Sequence, residues 1–183
     1  TWKSGRDLLR RRLAADAMDL EGFVAHMDGS VTRVPGTAVF LAQNLDTVPN
    51  AMLHSLKHYK ALHERNVIVS VAIMDVPRLT DSKRVSVLRM HNGFWQVKIH
   101  YGFMEHPNIP EALEWCAEDG LDLDAMDTSY FLGRETLIPR LGSEMRLWRE
   151  KVFVAMFRNA GDAAGFFGLP PNRVVELGTQ VEM

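Results

Sequence analysis

The chain has 183 residues and a single cysteine, Cys116. No internal disulfide can form, which fits a reducing compartment, and stability must come from packing. A basic excess is also missing: 21 Lys and Arg against 23 Asp and Glu leave a net charge of −2. A general nucleic-acid binder would carry a clear positive surplus, so no nucleic-acid partner is expected. No apolar run approaches the roughly 18 to 20 residues of a membrane helix, and the first residues lack the apolar core of a signal peptide. The sequence has no G-x-G-x-x-G, no G-x-x-x-x-G-K-[ST], no G-x-S-x-G and no pair of Cys-x-x-Cys. It therefore offers no template for catalysis, cofactor binding or a metal site. It has neither internal repeats nor low-complexity segments. The neighbouring acids Glu118 and Asp119, and Asp122 and Asp124, fall in a predicted surface turn and read as a solvated cluster.

What is present is an ordinary globular composition, 46% apolar and 24% charged, in a chain long enough for one domain with a sizeable core. The organising stretch is Thr37–Met74. It opens with the apolar run 37–42 and closes with 67–74, both without alternating charge, as strands buried on both faces read. Between them Met52, Leu53, Leu56, Tyr59 and Leu62 recur at helical spacing, predicting a helix over Asn50–Glu64. Strand, helix and strand make a βαβ unit, whose crossover should be right-handed and whose strands should be parallel. Residues 84–104 read as an antiparallel hairpin around Asn92-Gly93, two positions that tolerate positive φ. A two-residue turn there would set Trp95 opposite Met90 and Val97 opposite Leu88. The expected fold is α/β, a mixed sheet with a parallel βαβ unit and an antiparallel hairpin, with helices packed on it.

Further helices are expected over Gly5–Ala15, Asp19–Met27 and Pro110–Asp119, the last placing Cys116 in the core, where a thiol is inert. Ser143 reads as the N-cap of a helix running to about Asn159. One or two short strands are expected over Thr128–Leu132 and Glu135–Ile138, and a last strand over Val174–Leu177 before a polar tail.

Candidate binding residues come from position rather than motif. Parallel sheets bind ligands at the carboxyl ends of their strands. That points to Asn44, Asp46 and Thr47 after the first strand, and to Asp75 and Arg78 after the second. His54 and His58 stand one helical turn apart, within reach of one metal ion, but Lys57 beside them disfavours a cation. They read as a polar or interface-facing side. The amino-terminal residues Lys3, Arg6, Arg10, Arg11 and Arg12 face only Asp7 within the first twelve positions. With Trp2 in front, this pattern fits either a solvated amphipathic helix or the cytoplasmic edge of a membrane segment. The opening Thr1, in place of Met, is what a piece of a longer protein would show.

Five stretches together carry a resemblance: RVPGTAVFL (Arg33–Leu41), LHSLKHYKALHERNV (Leu53–Val67), YGFME (Tyr101–Glu105), MDTSYFLGRETLIP (Met126–Pro139) and LWREKVFVAMFRNAGDAAGFFGLPPNRVVELGTQVE (Leu147–Glu182). In this order they resemble the C-terminal cytosolic domain of bacterial Kup-type potassium uptake transporters. The start TWKSGRDLL is similar to the segment that leaves the last transmembrane helix in that family. The resemblance therefore implies a juxtamembrane basic helix and connecting segment over 1–30 and one cytosolic domain over 31–183. It implies a non-enzymatic part of a K⁺ transporter, of the K⁺/H⁺ symport kind, on the cytoplasmic side of the bacterial inner membrane. The partner would be a membrane domain in the same protein. Domains of related potassium importers dimerise or bind regulatory nucleotides, cyclic di-AMP among them. The expectations are therefore an assembly and regulatory module, expected to form a homodimer, or else a sensor of cyclic di-AMP or an adenine nucleotide. No ligand positions carry over from the family. Arg134, Glu135, Asn172 and Arg173 lie in its motifs and would fix interdomain or intersubunit geometry, or else make internal contacts.

Overall fold

In a computed structural model, residues 17–27, 29, 31–80, 84–138 and 163–182 are described, together with Asp7, Leu9 and Arg11. The predicted helix Ser143–Asn159 lies outside the described residues, as does most of Gly5–Ala15.

Helix α1 (Leu20–His26) starts at Asp19, whose carboxylate accepts the Gly22 N–H at 2.6 Å, a side-chain N-cap. Strand β1 (Thr32–Leu41) leads to helix α2 (Asn50–Tyr59) and strand β2 (Ala61–Met74). The pair β3 (Val85–Arg89) and β4 (Phe94–Gly102) follows. Then come helix α3 (Ile109–Glu114), a 3₁₀ turn over Trp115–Asp119 and a second over Ala125–Asp127. Strand β5 (Thr128–Ile138), the short helix α4 (Ala163–Phe166), a 3₁₀ turn over Pro171–Arg173 and strand β6 (Val174–Glu182) complete the order.

The six strands form one sheet in the order β3-β4-β2-β1-β5-β6. β1 is parallel to β2 and to β5, β2 to β4 and β5 to β6, and only β3–β4 is antiparallel. The βαβ expectation therefore holds. Consecutive strand residues split between two cores. Val67, Val69, Trp95, Val97, Ile99 and Tyr101 face Ile109, Leu113, Cys116 and Leu169. Ile68, Phe94, Phe40 and Phe131 face Leu20, Val24, Met52 and Val48. The chain moves one way across the sheet from β1 to β2 with α2 on the second face. It moves the other way from β4 to β5 with α3 on the first face. Reversing both direction and face keeps the hand of the crossover the same, as the preference for one hand requires.

Three expectations are corrected. The helix after β1 ends at Tyr59 and not at Glu64, because Lys60 turns left-handed (φ 54°) and caps Leu56 through its backbone N–H. The 59-to-62 spacing had mimicked another helical turn. Tyr59 is exposed, while Leu62 and His63 belong to β2, where Leu62 is buried beside Arg33. The hairpin register differs by one: Arg89 faces Trp95 and Leu88 faces Gln96, so Leu88 is exposed. The Met90 N–H donates to the Phe94 carbonyl at 2.9 Å. The connection thus spans His91, Asn92 and Gly93, a three-residue loop in place of a two-residue turn. The third correction concerns the end of the chain, where the expected polar tail is strand to Glu182, in register with β5 as far as Ile138.

The hairpin loop is held from both sides. The Asn92 amide donates to the Val24 and Met27 carbonyls at 3.1 and 2.7 Å, and the Asn66 N–H donates to the Gly93 carbonyl at 2.8 Å. Gly93 has φ 78°, and a Cβ there would run into the Glu64 carbonyl. Gly93→Ala should therefore cost about 1–3 kcal/mol. Thermal unfolding would show this as a midpoint lower by about 2–4 °C per kcal/mol; an unchanged midpoint would refute the close approach.

Candidate functional site

The loop after β1 is fastened at several points. The Asn44 carboxamide oxygen accepts the Thr47 N–H at 3.2 Å and its hydroxyl at 2.8 Å, a local Asx turn. The Asp46 carbonyl accepts the Leu20 N–H, and the Val48 N–H donates to the Met18 carbonyl, both at 2.9 Å. Across the sheet, Gln96 donates to the Leu45 carbonyl at 2.8 Å and the Ser70 hydroxyl to the Gln43 carbonyl at 3.3 Å. Asn44 and Thr47 thus satisfy each other, and the Asp46 side chain is exposed. The loop after β2 is tied elsewhere: Val76 and Pro77 accept the N–H groups of Phe103 and Met104 at 2.9 and 3.1 Å. Asp75 and Arg78 are exposed. An open groove of about 380 Å³ runs along α1, lined by Met18, Asp19, Gly22, Phe23, His26 and Met27. Neither strand-end loop lines it.

The histidines act as a fastener. His54 Nε2 lies 3.0 Å from the Thr179 hydroxyl, joining α2 to β6. The His54 ring stacks on His58 with centroids 5.8 Å apart and planes 15° from parallel. One ring nitrogen is thereby engaged by a hydroxyl, and no group of three metal-ligating side chains exists among the described residues. Arg134 meets Glu176 on the neighbouring strand at 3.4 Å, with both side chains largely exposed. A pair of this kind contributes only about 0.2–1 kcal/mol. Glu135 is in register with Thr179. His54 and Arg134 thus each reach β6, and Glu135 stands on the strand beside it. Asn172, exposed, and Arg173, half-buried, sit apart from them in the turn that starts β6.

Sequence reasoning missed the strongest polar cluster. Arg84 donates to the Glu105 carboxylate at 2.6 Å and to the Leu79 carbonyl at 2.7 Å, and both side chains of the pair are close to fully buried. The guanidinium lies over the Trp115 ring, 5.6 Å from its centroid. Glu105 also accepts the Gly102 N–H at 2.6 Å and the Leu79 N–H at 3.4 Å. The Gly102 N–H, with help from Arg84, holds its carboxyl below the usual carboxylate range. The signal was available: Arg84 and Glu105 flank the hairpin, and the two ends of a hairpin are neighbours. A second anchored cation is Arg33, which donates to the His63 carbonyl at 3.0 Å and lies 5.4 Å from the Phe94 centroid. Burial pushes the His63 imidazole down, partly offset by Asp127. Cys116 is buried, as expected, and burial pushes its thiol up to about 12. A thiol with so little thiolate is unreactive.

A depressed carboxyl contributes stability that is complete above its ordinary value of about 4.3 and is lost as pH falls through the folded value. Glu105→Gln should therefore lower the melting midpoint at pH 7, and its deficit against the parent should shrink as pH drops below about 4. A deficit that stayed constant from pH 7 to pH 3 would show that the carboxylate charge contributes nothing.

A family model described as the K+ potassium transporter C-terminal domain matches residues 35–183. The chain is 62% identical over 182 residues to "Probable potassium transport system protein Kup 3" of Dechloromonas aromatica (strain RCB), covering 99% of this chain and 29% of that protein. It is 54% identical over 184 residues to "Probable potassium transport system protein Kup" of Aromatoleum aromaticum (strain DSM 19018 / LMG 30748 / EbN1), covering 100% and 29% respectively. The chain thus spans under a third of the length of these relatives. No solved structure matches it.

Proposed function

The chain belongs to the K+ potassium transporter C-terminal domain family, and from that premise we propose that it is the cytosolic assembly and regulatory domain of a K⁺ uptake transporter. The observation that carries the reading is the match itself. It runs nearly end to end on this chain, at high identity, yet takes up only 29% of the named transporters. The remaining length would supply a membrane domain in the same protein. Among the described residues no helix is long and apolar enough to cross a membrane, so the ion path and any coupling to H⁺ are assigned to that other part. Residues 31–183 form the domain proper in this reading. Residues 1–30, with their basic start, form the juxtamembrane connection on the cytoplasmic side of the inner membrane. The domain pairs with a second copy, and the β5–β6 edge, with Arg134, Glu135 and the His54–Thr179 link, is the surface available for setting that geometry.

The test is K⁺ uptake by the longer protein in cells lacking their own high-affinity systems. Uptake should fall at least severalfold when residues 31–183 are deleted while the protein remains in the membrane. Unchanged uptake would remove the regulatory role, and a sedimentation run showing only monomer would remove the dimer. A nucleotide-sensing role would place the ligand at Asn44, Asp46, Thr47, Asp75 and Arg78, and melting with cyclic di-AMP, ATP and AMP tests it. A ligand at about 100 times its dissociation constant stabilises by roughly 2.7 kcal/mol, which for a domain of this size raises the midpoint by about 5–10 °C. No shift with any of the three would discard the sensor.

A further inference from the structure

Among the described residues, five of the twelve exposed large apolar side chains lie at the carboxyl ends of β2 and β4. β1 pairs with β2 only as far as Leu41 opposite Val69, whereas β2 and β4 stay paired to Met74 opposite Gly102. The two strands run on together for about five residues, roughly 16 Å, past the last β1 pair, with β3 still beside β4 as far as Val85 opposite Ile99. Backbone bonds from Phe103 to Val76 and from Met104 to Pro77 carry this ribbon further. On this ribbon Ile73, Met74, Val76, Phe103 and Met104 each expose between 40 and 61% of their surface. Single exposed apolar residues need no explanation, but five contiguous ones mark a contact surface. Ile73 and Met74 are consecutive strand residues and point to opposite faces, so the ribbon exposes apolar side chains on both sides, although Tyr101 opposite Ile73 is buried.

The tip is also held rigid. A Cβ on Gly102 would run into the Pro77 carbonyl, so the loop after β2 packs directly on the β4 backbone. Glu105 ties Gly102, Leu79 and Arg84 together beneath it. A fixed apolar tip loses little conformational freedom when it docks.

Charge narrows the choice of partner. Among the described residues the tip carries Asp75 and Glu105 against Arg78 and Arg84, a net charge of zero. An anionic lipid surface would call for a basic excess, so a protein surface fits better. A tip with apolar side chains on both faces needs a recess that closes around it, and the same tip on a second copy is not one. The relatives, by contrast, hold most of their length outside the matched region, and a tethered partner acts at high effective concentration.

We propose that the β2–β4 tip is a plug seated in an apolar recess formed by the remainder of the longer chain. The inference rests on the reading that this chain is one domain of a longer transporter. The occupied recess makes the tip the contact through which the domain and the rest of the protein sense each other's position.

The test uses the longer protein in native membrane vesicles, with a photoreactive phenylalanine analogue in place of Phe103 and, separately, of Met104. Illumination should yield intramolecular cross-links to residues outside this domain, mapped by mass spectrometry. Cross-links only to a second copy, only to lipid, or none from either position would overturn the proposal. Met104→Asp should in addition lower K⁺ uptake about tenfold while the protein still elutes as a single folded species. Normal uptake by that variant would overturn the coupling. If the parent protein carries no K⁺ but the cross-links form, the transport reading fails and the docking stands.

Discussion

The parallel pairing of β1 with β2 is the constraint on which the rest of the structure depends. Thr37–Leu41 lies against Arg65–Val69 in the middle of the sheet, and Val39, Val67 and Ile68 are fully buried. A parallel pair cannot be closed by a tight turn, so a crossover helix has to cover one face. Once α2 and α1 occupy that face, Val39, Val67 and Val69 on the other still need cover. The chain supplies it after β4, with α3 carrying Ile109, Ala112 and Leu113 and the following turn carrying Cys116. The two cores therefore follow from the two-sided burial of one strand pair.

The polar clusters act at the margins of this arrangement. Asn92 binds the hairpin loop to α1, Gln96 and Ser70 hold the loop after β1, His54 holds β6 to α2, and Arg84 with Glu105 closes the far end of the hairpin. Each is a side chain meeting a partner distant in sequence, and each fixes an element that apolar packing alone would leave loose. The same logic accounts for the apolar ribbon tip. Its strands stay paired to Met74 opposite Gly102 and Arg84 meets Glu105 beneath it, yet Ile73, Met74, Val76, Phe103 and Met104 remain exposed, the condition of a surface built for another surface.

In the proposed reading the domain transmits position. The loops at the carboxyl ends of β1 and β2 spend their polar groups on their own neighbours, with Asn44 on Thr47 and Val76 and Pro77 on the end of β4. Membership in a transporter-domain family accords with that arrangement. The function proposed here lies in edges and tips, where the domain can meet other protein surfaces.

Much of the fold was legible in the sequence because hydrophobic pattern is local. The runs 37–42 and 67–74, the helical stripe between them and the Asn92-Gly93 signal fixed the α/β class, the parallel unit and the hairpin, and the family motifs carried the kinship. The misreadings occurred where a backbone choice was decided by distant contacts. Lys60 turns left-handed without the glycine that would have announced it, because Leu62 is wanted in the core beside β1. The hairpin register slipped by one because Asn92 reaches α1 and Gly93 meets β2. The terminal segment became strand because β5 offered an open edge along its whole length. His54 with Thr179 was invisible for the same reason: they lie 125 residues apart, and pairing at such a separation is set by strand order. Sequence by itself determined which residues must leave water. Only the tertiary structure decided which surfaces were left over: Phe103 and Tyr101, two aromatics two residues apart, are exposed and buried according to whether another layer of the fold reaches them.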